Sequence, residues 1–314
     1  MLVFSRQSIF FAIFASCLAC NIDSAQADIQ INGYTDATND RFSNDPSFIV
    51  AGFNLSGVGQ TENREWATAI SRNVVISAAH LAPVGKVYFF PGNDPSATPV
   101  IRNIASGTKI SQTDLYLAVL DAPLPASIMH YEVASESLVG TPGTLTSAGV
   151  YQGTNAYMFG LSPKFYPVFY TEQAVGRNRI NGYLEDLVFA GNTDNDMLVL
   201  RYDSVGDPDY VQYESHIVGG DSGAPLFADV GGTLRVLGVN TAQLSSGGAL
   251  YGSGITYTGN RFSDIDNFIR AAAVPEPASI ALLATVAGTA VIMRRQRYSS
   301  RKATLFVTGL KRKE

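Results

Sequence analysis

The pattern that most limits this chain is a succession of short apolar, alternating stretches cut repeatedly by glycine, proline, asparagine and aspartate across residues 45–260. Phe48 to Phe53, Asn73 to Ser77, Lys86 to Phe90, Leu115 to Leu120, Met197 to Tyr202 and Leu234 to Val239 are examples. Stretches this short make marginal helices but ordinary strands. Pro91-Gly92, Pro142-Gly143, Gly92-Asn93 and Gly191-Asn192 supply turns between them. The expectation is an all-β body, a barrel or a sandwich. One helix interrupts it, over Phe262 to Ala273, where Phe262, Ile265, Phe268 and Ile269 recur at helical spacing. A chain of 314 residues suits one to three domains, with two lobes as the middle case and Pro123 to Glu136 as the connection.

Neither end reads as part of that body. Arg6, the apolar run Ile9 to Leu18 and Ala25-Gln26-Ala27 form a secretory signal over residues 1–27, to be removed by signal peptidase. At the other end, Val274-Pro275-Glu276-Pro277 precedes sixteen uncharged residues, Ala278 to Met293, and then Arg294-Arg295-Gln296-Arg297. As a helix the uncharged run would reach about 24 Å, close to the ~30 Å hydrocarbon core, and the arginines mark a cytoplasmic flank. Residues 278–293 are therefore expected to cross the membrane before processing.

Both cysteines, Cys17 and Cys20, fall inside the signal, so the exported body has no thiol and no disulfide framework. No cysteine-held metal is available either, and there is no His-x-x-x-His pair, so neither a metal nor a cofactor is expected. Asn192 to Asp196 and Asp203 to Asp209 carry oxygen ligands suited to calcium, but such composition is more simply that of solvated turns. Residues 28–277 hold 13 Lys and Arg against 25 Asp and Glu, a net charge of −12. An acidic body of this kind excludes nucleic acid as a partner, because phosphate binding needs a basic face.

Three positions carry chemistry when taken together. His80, one of only three histidines beside His130 and His216, ends Val74-Val75-Ile76-Ser77-Ala78-Ala79-His80, a strand-like run with small residues that leave the ring room. Ser222 sits in Gly219-Gly220-Asp221-Ser222-Gly223-Ala224-Pro225, where glycine permits the backbone angles that aim two N–H groups at one point. Asp114 opens the apolar run Leu115 to Leu120, whereas Asp121 closes it in a solvated turn. A serine nucleophile needs a base, and the base needs an orienting carboxylate. Read singly, the three are a surface histidine, a glycine-rich turn and a strand-initiating acid. His130 reads as a structural or surface residue.

Together the motifs Ser77-Ala78-Ala79-His80, Asp114-Leu115-Tyr116-Leu117 and Gly220-Asp221-Ser222-Gly223-Ala224-Pro225 resemble those of the chymotrypsin/trypsin-like serine endopeptidases. They stand in that family's His, Asp, Ser order, and the resemblance spans roughly residues 45–270. It implies two Greek-key six-stranded β-barrels with a C-terminal helix. Residues 28–130 would form the first barrel with His80 and Asp114. Residues 131–273 would form the second with Ser222 and the helix. Ser222 would be the nucleophile, His80 the general base and Asp114 its orienting acid. The N–H groups of Gly220 and Ser222 would form the oxyanion hole. His216, six residues before the nucleophile, would lie at the base of the specificity pocket, which disfavours Lys and Arg and leaves an acidic side chain as one option. The substrate would be a protein or peptide. A catalytically inactive member of the family, serving as a surface binding or matrix protein, is the alternative.

The family's departures are Leu81, where many relatives have cysteine, and Ala224, where many have glycine. No Lys or Arg precedes Ile31-Asn32-Gly33 to mark an activation cut, so Asp221 is expected to find another partner. Residues 274–297 resemble the PEP-CTERM sorting signal of Gram-negative bacteria, followed by a basic tail, 298–314. That resemblance implies an exosortase-type partner. It also implies a location on the cell surface, in the extracellular matrix or anchored in the membrane.

Overall fold

The computed structural model describes residues 28–273, with Val168 and Gly247 excepted. The expected signal over 1–27, the anchor over 278–293 and the tail lie outside these residues. No helix among the described residues is long and apolar enough to cross a membrane.

The described residues begin with a two-residue strand, β1 (Gln30–Ile31), and a single helical turn, α1 (Asp36–Asn39). Six strands follow: β2 (Val58–Thr61), β3 (Trp66–Ala69), β4 (Val74–Ala78), β5 (Lys86–Phe89), β6 (Val100–Lys109) and β7 (Leu115–Leu120). They close into a barrel in the order β2-β3-β4-β7-β6-β5, which leaves no free edge. Its interior is filled by Ala67, Ala69, Val75, Val87, Phe89, Ala118, Leu120, Leu124 and Ile128, all buried. Small alanines face larger Val, Leu and Phe side chains, as a narrow barrel requires.

The second half is a curled antiparallel sheet built from β8 (Asn155–Gly160), β9 (Ala174–Arg179), β10 (Gly182–Phe189), β11 (Asn192–Arg201), β13 (Pro225–Val230), β14 (Thr233–Ser246) and β15 (Ala249–Tyr257). Its order is β10-β11-β15-β14-β13-β8-β9, seven strands rather than a second ring of six. Residues 182–201 contribute a hairpin of two long strands because Ala190 and Gly191 both take positive φ, 48° and 77°, and reverse the chain at once. A short strand between, β12 (Ser215–His216), pairs with β1, Gln30 opposite His216. The segment ahead of the barrel is thus stitched to the second half. The core here is Ile29, Met158, Ile180, Tyr183, Leu198, Leu200, Ile217, Leu226, Leu237, Ile255 and Tyr257. The closing helix, α2 (Phe262–Ala273), has the expected bounds and buries Ile265.

Two local expectations change. Phe48 to Phe53 is a run of turns, not a strand: Phe48 N–H donates to Asp45 O, Ala51 N–H to Phe48 O and Phe53 N–H to Val50 O. Pro46 and Gly52 frame it, and turns satisfy the backbone locally while Phe48 and Val50 still bury. Asn192 to Asp196 is the first half of β11 rather than a solvated loop, with Asn192, Asn195 and Asp196 all buried.

Arg41 binds the two halves with no acidic partner among the described residues. Fully buried, it donates from Nη1 to Val58 O (2.9 Å) and Gln173 Oε1 (2.6 Å), and from Nε to Asn93 Oδ1 (3.3 Å). Desolvation lowers its pKa to about 10, which leaves the guanidinium charged at neutral pH.

Candidate active site

Register brings the first two side chains together. β4 and β7 are antiparallel with Ala78 opposite Leu115, so the residues beyond that pair, Ala79-His80 and Asp114, are neighbours at one end of the barrel. Ala79 N–H donates to Asp114 O at 2.8 Å, and a 3₁₀ turn, Ala79–Leu81, swings His80 back over the strand end. His80 N–H then donates to Asp114 Oδ1 (2.9 Å), and His80 Nδ1 lies 2.6 Å from Asp114 Oδ2. Asp114 is wholly buried, while the His80 side chain keeps 24% of its surface exposed. A buried carboxylate accepting two N–H groups from one residue fixes both the ring's orientation and its tautomer. Nδ1 carries the proton and Nε2 presents its lone pair.

That lone pair faces Ser222. Nε2 and Oγ are 2.9 Å apart although the residues are 142 positions apart in sequence. The Ser222 loop can come this close because Gly223, at φ 86°, lies against Ser77 and Ala78. A Cβ there would collide with the Ser77 hydroxyl, so only glycine fits. Gly220 also has positive φ, 105°. Its carbonyl accepts the indole N–H of Trp66, the buried sole tryptophan, at 3.3 Å, which fixes the 220–221 peptide from the barrel side. The N–H groups of Gly220 and Ser222 have no acceptor among the described residues. Both belong to the loop that carries the Ser222 hydroxyl, and their hydrogen bonds are unspent.

Asp221, between them, is fully buried and takes its hydrogen bonds outside the relay. Its Oδ1 accepts Leu161 N–H (2.7 Å) and its Oδ2 accepts Val218 N–H (2.8 Å). Backbone donors are thus the partner that the sequence left open. Burial raises the pKa of this carboxyl well above 3.8, against the opposing pull of those two N–H groups.

His216 does not join the relay. It lies buried in β12 with Nδ1 3.0 Å from Ile217 O and its ring edge against Tyr202, centroids 4.5 Å apart. A carbonyl only accepts, so Nδ1 is the protonated nitrogen and Nε2 an acceptor. Desolvation lowers the ring's pKa and keeps it neutral. His130 is exposed on the connecting segment.

Next to His216, Glu214 is buried, accepting Val211 N–H (3.0 Å), with Asp203 nearby, and its pKa is raised to about 7, mainly by desolvation. In the unfolded chain its value is 4.5, so between those values the folded protein holds a proton that the unfolded one gives up. Stability from this group therefore falls as pH rises through that window, by about 3 kcal/mol in all. Glu214→Gln mimics the protonated form. Denaturant titrations at pH 4 and pH 8 should show the wild type losing about 3 kcal/mol more than the variant. Equal losses in the two proteins would put the effect elsewhere.

Four residues around the relay escaped the sequence reading: Trp66, Leu161, Phe189 and Asn195. The Phe189 ring meets the His80 imidazole edge to face at 5.4 Å, and the Asn195 side-chain oxygen accepts Asp114 N–H at 2.6 Å. Only Trp66, as the single indole, offered any signal.

No protein-family model matches the chain, and no curated protein does. Among solved structures the chain is similar to a mutant of human heparin-binding protein, at 18% sequence identity and a TM-score of 0.46, over 71% of this chain and 95% of that one.

Proposed function

We propose that this protein is an exported serine endopeptidase of the trypsin-like kind, working through an acyl-enzyme. The observation that carries the reading is the unbroken contact from Asp114 through His80 to Ser222, with two unspent N–H groups beside the hydroxyl. Ser222 Oγ would attack the scissile carbonyl carbon while His80 Nε2 takes its proton, and Asp114 would stabilise the resulting imidazolium. The carbonyl oxygen, now an anion, would accept from Gly220 and Ser222 N–H. Collapse would expel the amine with the proton from Nε2, leaving an acyl-serine. Water, deprotonated by the same nitrogen, would then attack the ester and restore the hydroxyl. None of these steps needs a metal or a cofactor.

His216 serves in this reading as the base of the specificity pocket. A neutral ring with Nδ1–H turned to the backbone offers a lone pair rather than a charge, so it favours a side chain that donates a hydrogen bond over a carboxylate. The acidic preference left open by the sequence is the weaker option. Export rests on the signal over 1–27 and the sorting segment over 274–297, with signal peptidase, an exosortase-type enzyme and the membrane as successive partners.

Active-site titration with a chromogenic acyl ester tests the reading. A burst of about one product per protein, followed by slower turnover, is expected. A folded sample with no burst would leave the inactive-scaffold alternative. The same sample, given a peptide library at pH 8, should cleave after Gln or Asn in preference to Glu or Asp.

A further inference from the structure

We infer that the β10–β11 hairpin is the brace that aligns Asp114 and His80, and that Asn195 is its positioning residue. For its effect on rate the inference rests on the serine endopeptidase reading; its spectroscopic test does not.

Asp114 belongs to the barrel, at the end of the turn 110–114, yet its backbone N–H is taken by the second sheet, through Asn195 Oδ1 at 2.6 Å. Both carboxylate oxygens are committed to His80, so Asn195 is what holds the residue from behind. Asn195 is itself fully buried. Its amide nitrogen points back into its own hairpin, donating to Leu187 O (3.1 Å), Asn192 O (3.3 Å) and, at the limit, Phe189 O (3.5 Å). Those carbonyls converge because the pairing slips: Leu187 lies opposite Asn195 and Phe189 opposite Asn192, with Asp186 at φ 51°. An asparagine offers an acceptor on one side and two donors on the other within a short side chain, which aspartate and leucine do not.

Two more ties hold the hairpin to the same turn and to the end of β6 just before it. Asp194 N–H donates to Gln112 O (3.1 Å), and Lys109 Nζ donates to Asn192 Oδ1 (2.7 Å). The hairpin end also carries Phe189, whose ring meets the imidazole of His80. One element of the second sheet therefore grips the carboxylate residue through Asn195 and the base through Phe189. The nucleophile loop is built on that same sheet, so the brace sets the barrel's half of the relay against the sheet's half. A misplacement of about 1 Å in such an arrangement costs on the order of 100-fold in rate.

The test uses the full chain with Asn195→Asp, which keeps the acceptor but replaces the donors with charge, and Asn195→Leu, which removes both. In the wild type, proton NMR should show a low-field resonance for the hydrogen shared by His80 Nδ1 and Asp114. In both variants it should shift or broaden. Per titrated active site, kcat should fall about 10- to 100-fold with KM within about two-fold. Trp66 fluorescence reports folding throughout. A low-field resonance identical to wild type in both folded variants would overturn the inference, even if the wild type hydrolysed nothing. Amide exchange in the wild type needs no variant: the Asp114 N–H should be as protected as those of β7, and fast exchange there would equally overturn it.

Discussion

Ser222→Ala is expected to lower kcat for peptide hydrolysis by about 10⁶-fold and to abolish labelling by a fluorophosphonate, in a protein that still folds. Without the hydroxyl there is nothing to form the ester, and the acceptor nitrogen of His80 can only polarise water. If the proposed oxyanion hole is right, some acceleration over the uncatalysed reaction should survive, because the Gly220 and Ser222 N–H groups would still meet the carbonyl oxygen. Stability should change by no more than about 0.5 kcal/mol. Ser222 is half-buried, its side chain makes one hydrogen bond, and the nitrogen left behind belongs to a ring with access to water. Intact-mass measurement after labelling reads the outcome. Undiminished labelling of the variant would move the nucleophile to another residue.

Asp114→Asn should cost about 10⁴-fold in kcat while KM stays nearly constant. The wild-type carboxylate accepts twice, from His80 N–H at 2.9 Å and from Nδ1–H at 2.6 Å. An amide of the same shape has one acceptor. With its oxygen on the backbone N–H, its NH₂ faces Nδ1 and drives the proton to Nε2. The ring then donates to Ser222 where it must accept. Burst kinetics separate this from a folding defect: the burst amplitude should remain stoichiometric while its rate collapses. A variant within tenfold of wild type would mean that ring orientation does not depend on this carboxylate.

The parts of this structure legible in the sequence are those set by local periodicity or by motif. β7 and α2 span the expected residues, because an apolar run bounded by Asp114 and Asp121 and a helical repeat before Val274 are signals that neighbours do not alter. The polar front of β11 was invisible. Asn192, Asn195 and Asp196 look like solvent residues until the fold wraps backbone donors and carbonyls around them. β6 was missed for the opposite reason, since it is largely exposed and carries no alternating apolar face. Around the site, the motifs named the three side chains that meet. The braces behind them depend on partners 60 and 81 residues away, Leu161 for Asp221 and Asn195 for Asp114, and on a slipped strand register that composition does not encode.

The stitching of β1 to β12 also governs the order in which the molecule can be made. Ile29, whose N–H donates to Leu161 O, and Gln30, paired with His216, are made well before these partners, which lie far downstream. Contacts of such long sequence separation raise contact order and slow folding towards the millisecond-to-second range of other β proteins. A nascent chain that has finished its barrel therefore still waits for its opening strand to dock and for the glycine loop to arrive. Whatever chemistry the hydroxyl at 222 performs, a half-synthesised copy is inert towards its surroundings and towards itself.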